Sequence, residues 1–284
     1  MSSAIKIVEC PRDAMQGISA FIPTSTKTAY INQLLKVGFD TIDFGSFVSP
    51  KAIPQLKDTA QVLAGLDLSN TKSKLLSIIA NTRGAETACN FDEINYLGFP
   101  LSVSEKFQKR NTNKSITEAL KTVEEIQNLS VKNNKEIVVY LSMAFGNPYG
   151  ENYHPDIVAE LTEKLSKLDI GIISLSDTIG VSSPDNIAPL FSTLINEYSK
   201  IEFGAHFHTT PDKWEEKVNT AYQNGCRRFD SAIKGYGGCP MAKDDLVGNM
   251  PTENLITFFK SKGIDLSLDN SAFEAVVNNI SIYF

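Results

Sequence analysis

No cysteine in this chain stands within a Cys-x-x-Cys spacing of another, and no apolar run approaches the length of a membrane span. The four cysteines (Cys10, Cys89, Cys226 and Cys239) are scattered, which disfavours both a zinc cluster and a disulfide scaffold. Histidine is scarcer still, at three in 284 residues. Basic residues are outnumbered, with 27 Lys and Arg against 33 Asp and Glu. The net charge of -6 argues against nucleic acid or an anionic membrane as a partner, because both need a basic surface. The opening MSSAIKIVEC enters a strand-like run without the basic and apolar leader of a secretory signal. These absences predict a protein of a reducing cytoplasm. What remains is an ordinary globular composition, 42% hydrophobic and 21% charged, enough for a sizeable core.

Short β-rich runs alternate with longer amphipathic segments along the whole chain. IKIVE (5–9), TIDFG (41–45), KLLSIIA (74–80) and DEINYLGF (92–99) read as the first four strands. EIVVYLS (136–142), GIISLS (171–176), IEFGAHF (201–207) and RRFDSAI (227–233) read as the next four. Helical periodicity falls between most of them. Gly38 closes the helix around TKTAYINQLLKVG, Ser115 and Glu118 form a capping box, and Pro155 occupies a first turn. Eight strand–helix units predict one α/β domain over 1–284, a (β/α)8 TIM barrel spanning about 5–263 with an additional C-terminal helix. The alternative is an open doubly wound sheet. That fold calls for a glycine-rich phosphate turn after the first strand, where this chain has ECPRDAMQG.

In a barrel the chemistry gathers at the C-terminal ends of the strands. Two of the three histidines sit there together, His206 and His208 in GAHFHT. On a strand, residues i and i+2 point the same way, so both imidazoles can enter the barrel mouth. A lone H-x-H also describes a packed or hydrogen-bonded pair. With Asp13 at the end of the first strand, brought close when strands one and eight meet, a metal site becomes the favoured reading. Asn249 can add an amide oxygen, and this oxygen-rich mixed set suits Mg²⁺ or Mn²⁺ better than zinc. Arg12 beside Asp13 is placed to hold a developing enolate oxygen. Asp43 and Asp177 also close strands, and each can serve either proton transfer or support. Gly235, Gly237 and Gly238 precede Cys239 in GYGGCPMA, a loop able to close over a substrate, where the thiol can exchange a proton. Cys10, Cys89 and Cys226 read as packing, and His154 as a capping or surface residue.

Taken together, VECPRDAMQ, SFVSPKAIPQ, SEKFQKRNTNKSI, FGNPYG, SLSDTIGV, HFH and GGCP with a later GN resemble the hydroxymethylglutaryl-CoA lyases. These belong to a superfamily of metal-dependent TIM-barrel lyases and synthases that shares SLSDTIGV and H-x-H more widely. The resemblance implies cleavage of 3-hydroxy-3-methylglutaryl-CoA to acetyl-CoA and acetoacetate, a step of leucine and ketone-body catabolism. It assigns Asp13, His206, His208 and Asn249 to Mg²⁺ or Mn²⁺, Arg12 to substrate and enolate, and Cys239 to proton donation. His206 or Asp13 would be the base, and Ser46 and Asn111 would join Arg12 in binding the acyl-CoA. A homodimer is compatible with it. Three departures stand out: VECPRD is one residue shorter than the lyase pattern, Cys239 to Asn249 is one longer, and Asp43 replaces the usual glutamate. A Claisen-type synthase on the same barrel, or a silent barrel used as a binding module, are the competing readings.

Overall fold

Eight parallel strands close on themselves in the computed structural model, which describes residues 4–238 and 247–283. They are β1 (Lys6–Glu9), β2 (Thr41–Ser46), β3 (Lys74–Ile78), β4 (Ile94–Ser102), β5 (Glu136–Ser142), β6 (Ile172–Asp177), β7 (Glu202–Thr209) and β8 (Arg228–Ser231). Each pairs with the next in sequence, and β1 with β8 completes the ring, running from Lys6 opposite Arg228 to Glu9 opposite Ser231. This is the expected TIM barrel. A two-residue strand, β9 (Gly248–Asn249), adds antiparallel to β7 and sets Asn249 opposite His208.

Both faces of a barrel strand are buried, so apolar residues run almost continuously rather than alternating with polar ones. Leu76, Ile78, Tyr96, Val138, Tyr140 and Ile172 pack inside the ring. A larger core lies between the outer strand faces and the helices, drawing on residues such as Ile42, Leu75, Val139, Ile173 and Phe203. The interior thus has an apolar wall on one side and room for polar side chains on the other.

The helices follow their local signals. α1 (Pro11–Gln16) has proline at its first position, and α2 (Thr24–Val37) ends at Gly38, whose φ of +85° is left-handed as a helix stop requires. α3 (Thr59–Ala64), α4 (Thr82–Cys89) and α5 (Glu105–Thr112) are short, and α6 (Ile116–Lys132) carries the expected capping box between Ser115 and Glu118. α7 (Pro155–Ser166), α8 (Pro184–Glu197), α9 (Trp214–Gln223) and α10 (Thr252–Ser261) complete the barrel. α11 (Asn270–Asn279) is the expected extra C-terminal helix, and its Phe273 meets Phe39 edge-on at 6.4 Å.

Three local differences from the sequence reading stand out. PRDAMQ is a helical turn rather than a loop, because Pro11 pre-sets the first φ and Ala14 and Met15 are buried. The helix expected from Pro54 divides into a 3₁₀ turn and α3, separated at Lys57 and Asp58. The eight-residue α4 makes only about two turns, too few to stand out in the sequence, and Asn81 starts it by accepting the Gly84 N–H.

Candidate active site and metal centre

Arg12, Asp13, Asn111, His206 and His208 meet at the barrel mouth in one cavity of about 410 Å³, while Asp43 is buried behind Arg12, outside the lining. Arg12, Asp13, His206 and His208 form its polar wall, while Val48, Ile53, Ile78 and Phe107 contribute to an apolar one. One face is therefore fitted to charged or oxygen-bearing groups and the other to a hydrocarbon chain.

β7 presents His206 and His208 on the same face, with ring centroids 5.3 Å apart. His208 Nδ1 lies 2.9 Å from the Thr178 carbonyl, so it carries the hydrogen and Nε2 holds the lone pair. That Nε2 is buried and has no hydrogen-bond partner. Burial, with His206 adding to it, brings His208 down to about 4, so the imidazole is neutral at pH 7. His206 Nδ1 lies 3.1 Å from Asp230 Oδ2. Burial opposes protonation of His206, yet the bond to Asp230 and its charge outweigh that and raise its pKa. In both rings the Nδ1 contact leaves Nε2 as the atom available to a ligand.

Asp13 completes the group. One ligand atom from each of Asp13, His206 and His208 lies within 4.8 Å of the others. Its Oδ1 accepts from Arg12 Nη1 at 2.8 Å and Gln16 Nε2 at 2.5 Å, and its Oδ2 accepts from Asn249 Nδ2 at 2.7 Å. Burial disfavours the charge, but Arg12 and the two histidines more than compensate and hold Asp13 at about 2. An ionised carboxylate, a neutral imidazole with an orphaned lone pair and a second imidazole form a donor set that fits a divalent cation. Asn249 also donates to the Tyr236 carbonyl at 2.8 Å, tying the segment before Cys239 to the site.

Arg12 is buried and doubly paired. Its Nε and Nη2 reach Asp43 Oδ2 at 3.0 and 2.5 Å, and its Nη1 reaches Asp13 and also Gln16 Oε1, the latter at 3.0 Å. Burial works against the guanidinium charge, but the two carboxylates raise its pKa. These contacts use four of the five N–H bonds and leave one on Nη2. Burial pushes Asp43 up to about 6 despite Arg12, and its Oδ1 is buried without a partner.

The structure does not bring every expected residue into the cavity. Of the two roles open to Asp177, the structure favours support over proton transfer. Its carboxylate takes Lys217 Nζ at 2.7 Å, Val181 N at 2.8 Å, and Ser182 N and Oγ at 3.0 and 2.6 Å. Its oxygens are taken up by these donors, and it does not line the cavity. Ser46 is likewise outside the lining, its Oγ accepting the Val48 N–H at 3.2 Å, whereas Asn111 on α5 is part of it. Cys239 falls outside the described residues, but Gly238, the residue before it, lines the cavity. His154 is the cap of α7, as expected.

Asp230 is the functional residue the sequence reading missed. It sits inside RRFDSAI, which reads as an ordinary buried strand, and nothing in that run marks the aspartate as facing a histidine across β7 and β8. Its alternation with Arg228 was the one available signal. Gln16, one turn after Asp13 on α1, was missed for the same reason: its role exists only once α1 is helical.

The HMGL-like family model matches residues 4–280. The chain is 34% identical to a hydroxymethylglutaryl-CoA lyase of Bacillus subtilis, over 89% of this chain and 84% of that protein. It is 33% identical to the cytoplasmic 3-hydroxy-3-methylglutaryl-CoA lyase of Rattus norvegicus, over 93% and 77%. Among solved structures, an HMG-CoA lyase of Acinetobacter baumannii, in complex with coenzyme A and 3-methylmalate, superposes with a TM-score of 0.91 at 31% identity. The match covers 99% of this chain and 92% of that one. With its barrel closed, its histidine pair facing Asp13, and its length matched almost end to end, the chain belongs to the HMGL-like family.

Proposed function

We propose that this chain is a carbon–carbon lyase that cleaves 3-hydroxy-3-methylglutaryl-CoA to acetyl-CoA and acetoacetate. The observation that carries the reading is the meeting of Asp13, His206 and His208 beside Arg12 in a cavity with an apolar wall. Relatives named for this reaction cover most of the chain, and one solved relative was obtained with coenzyme A. No helix among the described residues is long and apolar enough to cross a membrane, which accords with a freely diffusing acyl-CoA as partner and with a cytoplasmic setting.

Asp13, His206 and His208, joined by Asn249, would hold Mg²⁺ or Mn²⁺, which when bound supplies Lewis acidity that lowers the pKa of a hydroxyl. The base is His206 or Asp13, both of which line the cavity, while Asp43, fully buried and outside that lining, holds Arg12 through its Oδ2. The tertiary hydroxyl loses its proton, and the bond between C2 and C3 breaks. The bonding pair passes to the thioester as an enolate, and C3 becomes the ketone of acetoacetate. Arg12 holds the enolate oxygen with its remaining Nη2 hydrogen, a donor fixed in advance by Asp43 and Asp13. Cys239, following Gly238 at the cavity edge, returns a proton to the enolate carbon. The apolar wall takes the pantetheine arm and keeps water from the carbanion.

The test is release of acetyl-CoA by the purified protein with Mg²⁺, reducing agent and a panel of 3-hydroxyacyl-CoA thioesters. The reading expects turnover of the methylglutaryl thioester, with most of it lost in Cys239→Ala while Mn²⁺ affinity stays. A protein that released no acetyl-CoA from any thioester, with metal demonstrably bound, would sink it.

A further inference from the structure

We infer that Lys217 is a positioning residue of the metal centre: with one ammonium it fixes the turn whose Thr178 carbonyl sets the His208 ring. The inference rests on the reading of His208 as a ligand. Lys217 lies on α9, outside the cavity lining, and its side chain is fully buried. Its Nζ reaches Asp177 Oδ2 at 2.7 Å, the His208 carbonyl at 2.9 Å and the Gly180 carbonyl at 3.1 Å. An ammonium has three N–H bonds, and here each has an acceptor.

These acceptors belong to the end of β6, the turn after it and the end of β7. The barrel's own ladder does not join them. Pairing of β6 with β7 stops at Asp177 opposite Phe207, and pairing of β7 with β8 stops at Ala205 opposite Phe229. His208 thus stands past the last barrel pairing on both sides, against a turn held by side chains. In that turn the Thr178 carbonyl accepts His208 Nδ1–H at 2.9 Å, and Thr178 Oγ1 accepts the Met143 N–H at 2.9 Å. Asp177 accepts from Val181 N and from Ser182 N and Oγ. Lys217 closes the circuit: it grips His208 at its backbone and, through Asp177 and Gly180, the chain on both sides of Thr178.

Stability is a weak reason to keep such a pair, because apolar residues of similar volume in place of a buried ion pair are often neutral or stabilising. What an apolar side chain cannot do is donate to two carbonyls and tie the turn to β7. Without that tie the Thr178 carbonyl is free to leave Nδ1. The ring can then carry its proton on Nε2, where no lone pair remains for a cation.

Nitrogen-15 NMR of the imidazoles in metal-free protein at pH 7 reads this without any assay of turnover, and three histidines give few signals to assign. Wild-type His208 should show Nδ1 protonated and Nε2 bare. Lys217→Met alone leaves Asp177 unpaired and can unfold the chain, so the deciding variant combines Lys217→Met with Asp177→Asn, which buries no unmatched charge. The double variant should regain much of the stability to urea that Lys217→Met loses. Even so, its His208 should shift toward the tautomer protonated on Nε2, and it should bind Mn²⁺ about tenfold more weakly than wild type. A folded double variant with wild-type His208 signals and wild-type Mn²⁺ affinity would overturn the inference and leave Lys217 a purely structural residue. If wild-type protein bound no Mn²⁺, the metal reading would fall, while the His208 signals would still decide whether Lys217 sets the ring.

Discussion

Asp230 gives the sharpest test of how the metal centre is built. Its Oδ2 accepts from His206 Nδ1 at 3.1 Å, so it fixes both the tautomer and the ring plane that aim Nε2 at Asp13. Asp230→Asn keeps an acceptor on the same stem but removes the charge. Asp230→Ala removes the acceptor as well and leaves the ring free to turn or to change tautomer. Outer-shell partners of this type are worth about 10- to 100-fold in metal affinity, or about 1.4 kcal/mol for each tenfold. Asn should fall near the tenfold end and Ala near the hundredfold end, because the geometry survives in one and not in the other. The assay is Mn²⁺ titration followed by electron paramagnetic resonance, with turnover then measured at saturating metal. Turnover at saturation should recover far more in Asn than in Ala. Equal Mn²⁺ affinity in wild type and Ala would mean that the His206–Asp230 contact plays no part in holding the cation, and the reasoning would fail.

Three other outcomes follow from particular residues. Lys217 is buried against Asp177 at 2.7 Å and also donates to the carbonyls of Gly180 and His208. Lys217→Ala leaves a buried carboxylate unpaired and should cost about 3–5 kcal/mol in urea denaturation, with part recovered by adding Asp177→Asn; a loss below about 1 kcal/mol would match an exposed pair instead. Gly237 has φ +86°, and a Cβ there would lie 2.6 Å from the Asp13 carbonyl and 2.8 Å from Asn249 Nδ2. Gly237→Ala should lower metal affinity, beyond the roughly 1–2 kcal/mol of left-handed backbone strain, while Gly17→Ala, with open space around it, should not; identical Mn²⁺ curves would contradict this. Burial pushes Glu9 up to about 8 even though it accepts bonds from Thr252 Oγ1 and Ile233 N. The folded chain therefore keeps a proton that the unfolded chain has released, so this contribution is present below the ordinary carboxylate range and lost as pH rises through about 8. Melting temperature should fall from pH 6 to 9 in the wild type and less in Glu9→Gln, and parallel profiles would refute it.

Much of this was legible residue by residue. Proline at a first helical position, glycine past a last one and the Ser115–Glu118 box are local signals, and they mark helices wherever the chain goes. Strands buried on both faces are recognisable as apolar runs. The alternation rule alone puts His206 and His208 on one face, because it depends only on backbone geometry. Asp13 and Arg12 stood out because charges directly after an apolar strand need a reason. Asp230 did not, since an aspartate inside a strand gains meaning only from what stands on the neighbouring strand. Asp177 stayed ambiguous for the converse reason: at a strand end it can serve proton transfer or support, and only the position of Lys217, 40 residues on, shows its charge is already matched.

The sequence by itself determined the eight-fold alternation, the barrel and the residue types at its mouth, since these follow from periodicity and local propensity. Only the tertiary structure decided which of those residues meet. Closure of β1 on β8 brings Asp13 to the histidines, and the register of β7 against β8 gives His206 its aspartate. Those pairings join positions about 190 and 24 residues apart, and no local rule relates them. Strand register does, because a shift of one residue would turn each of these side chains to the opposite face.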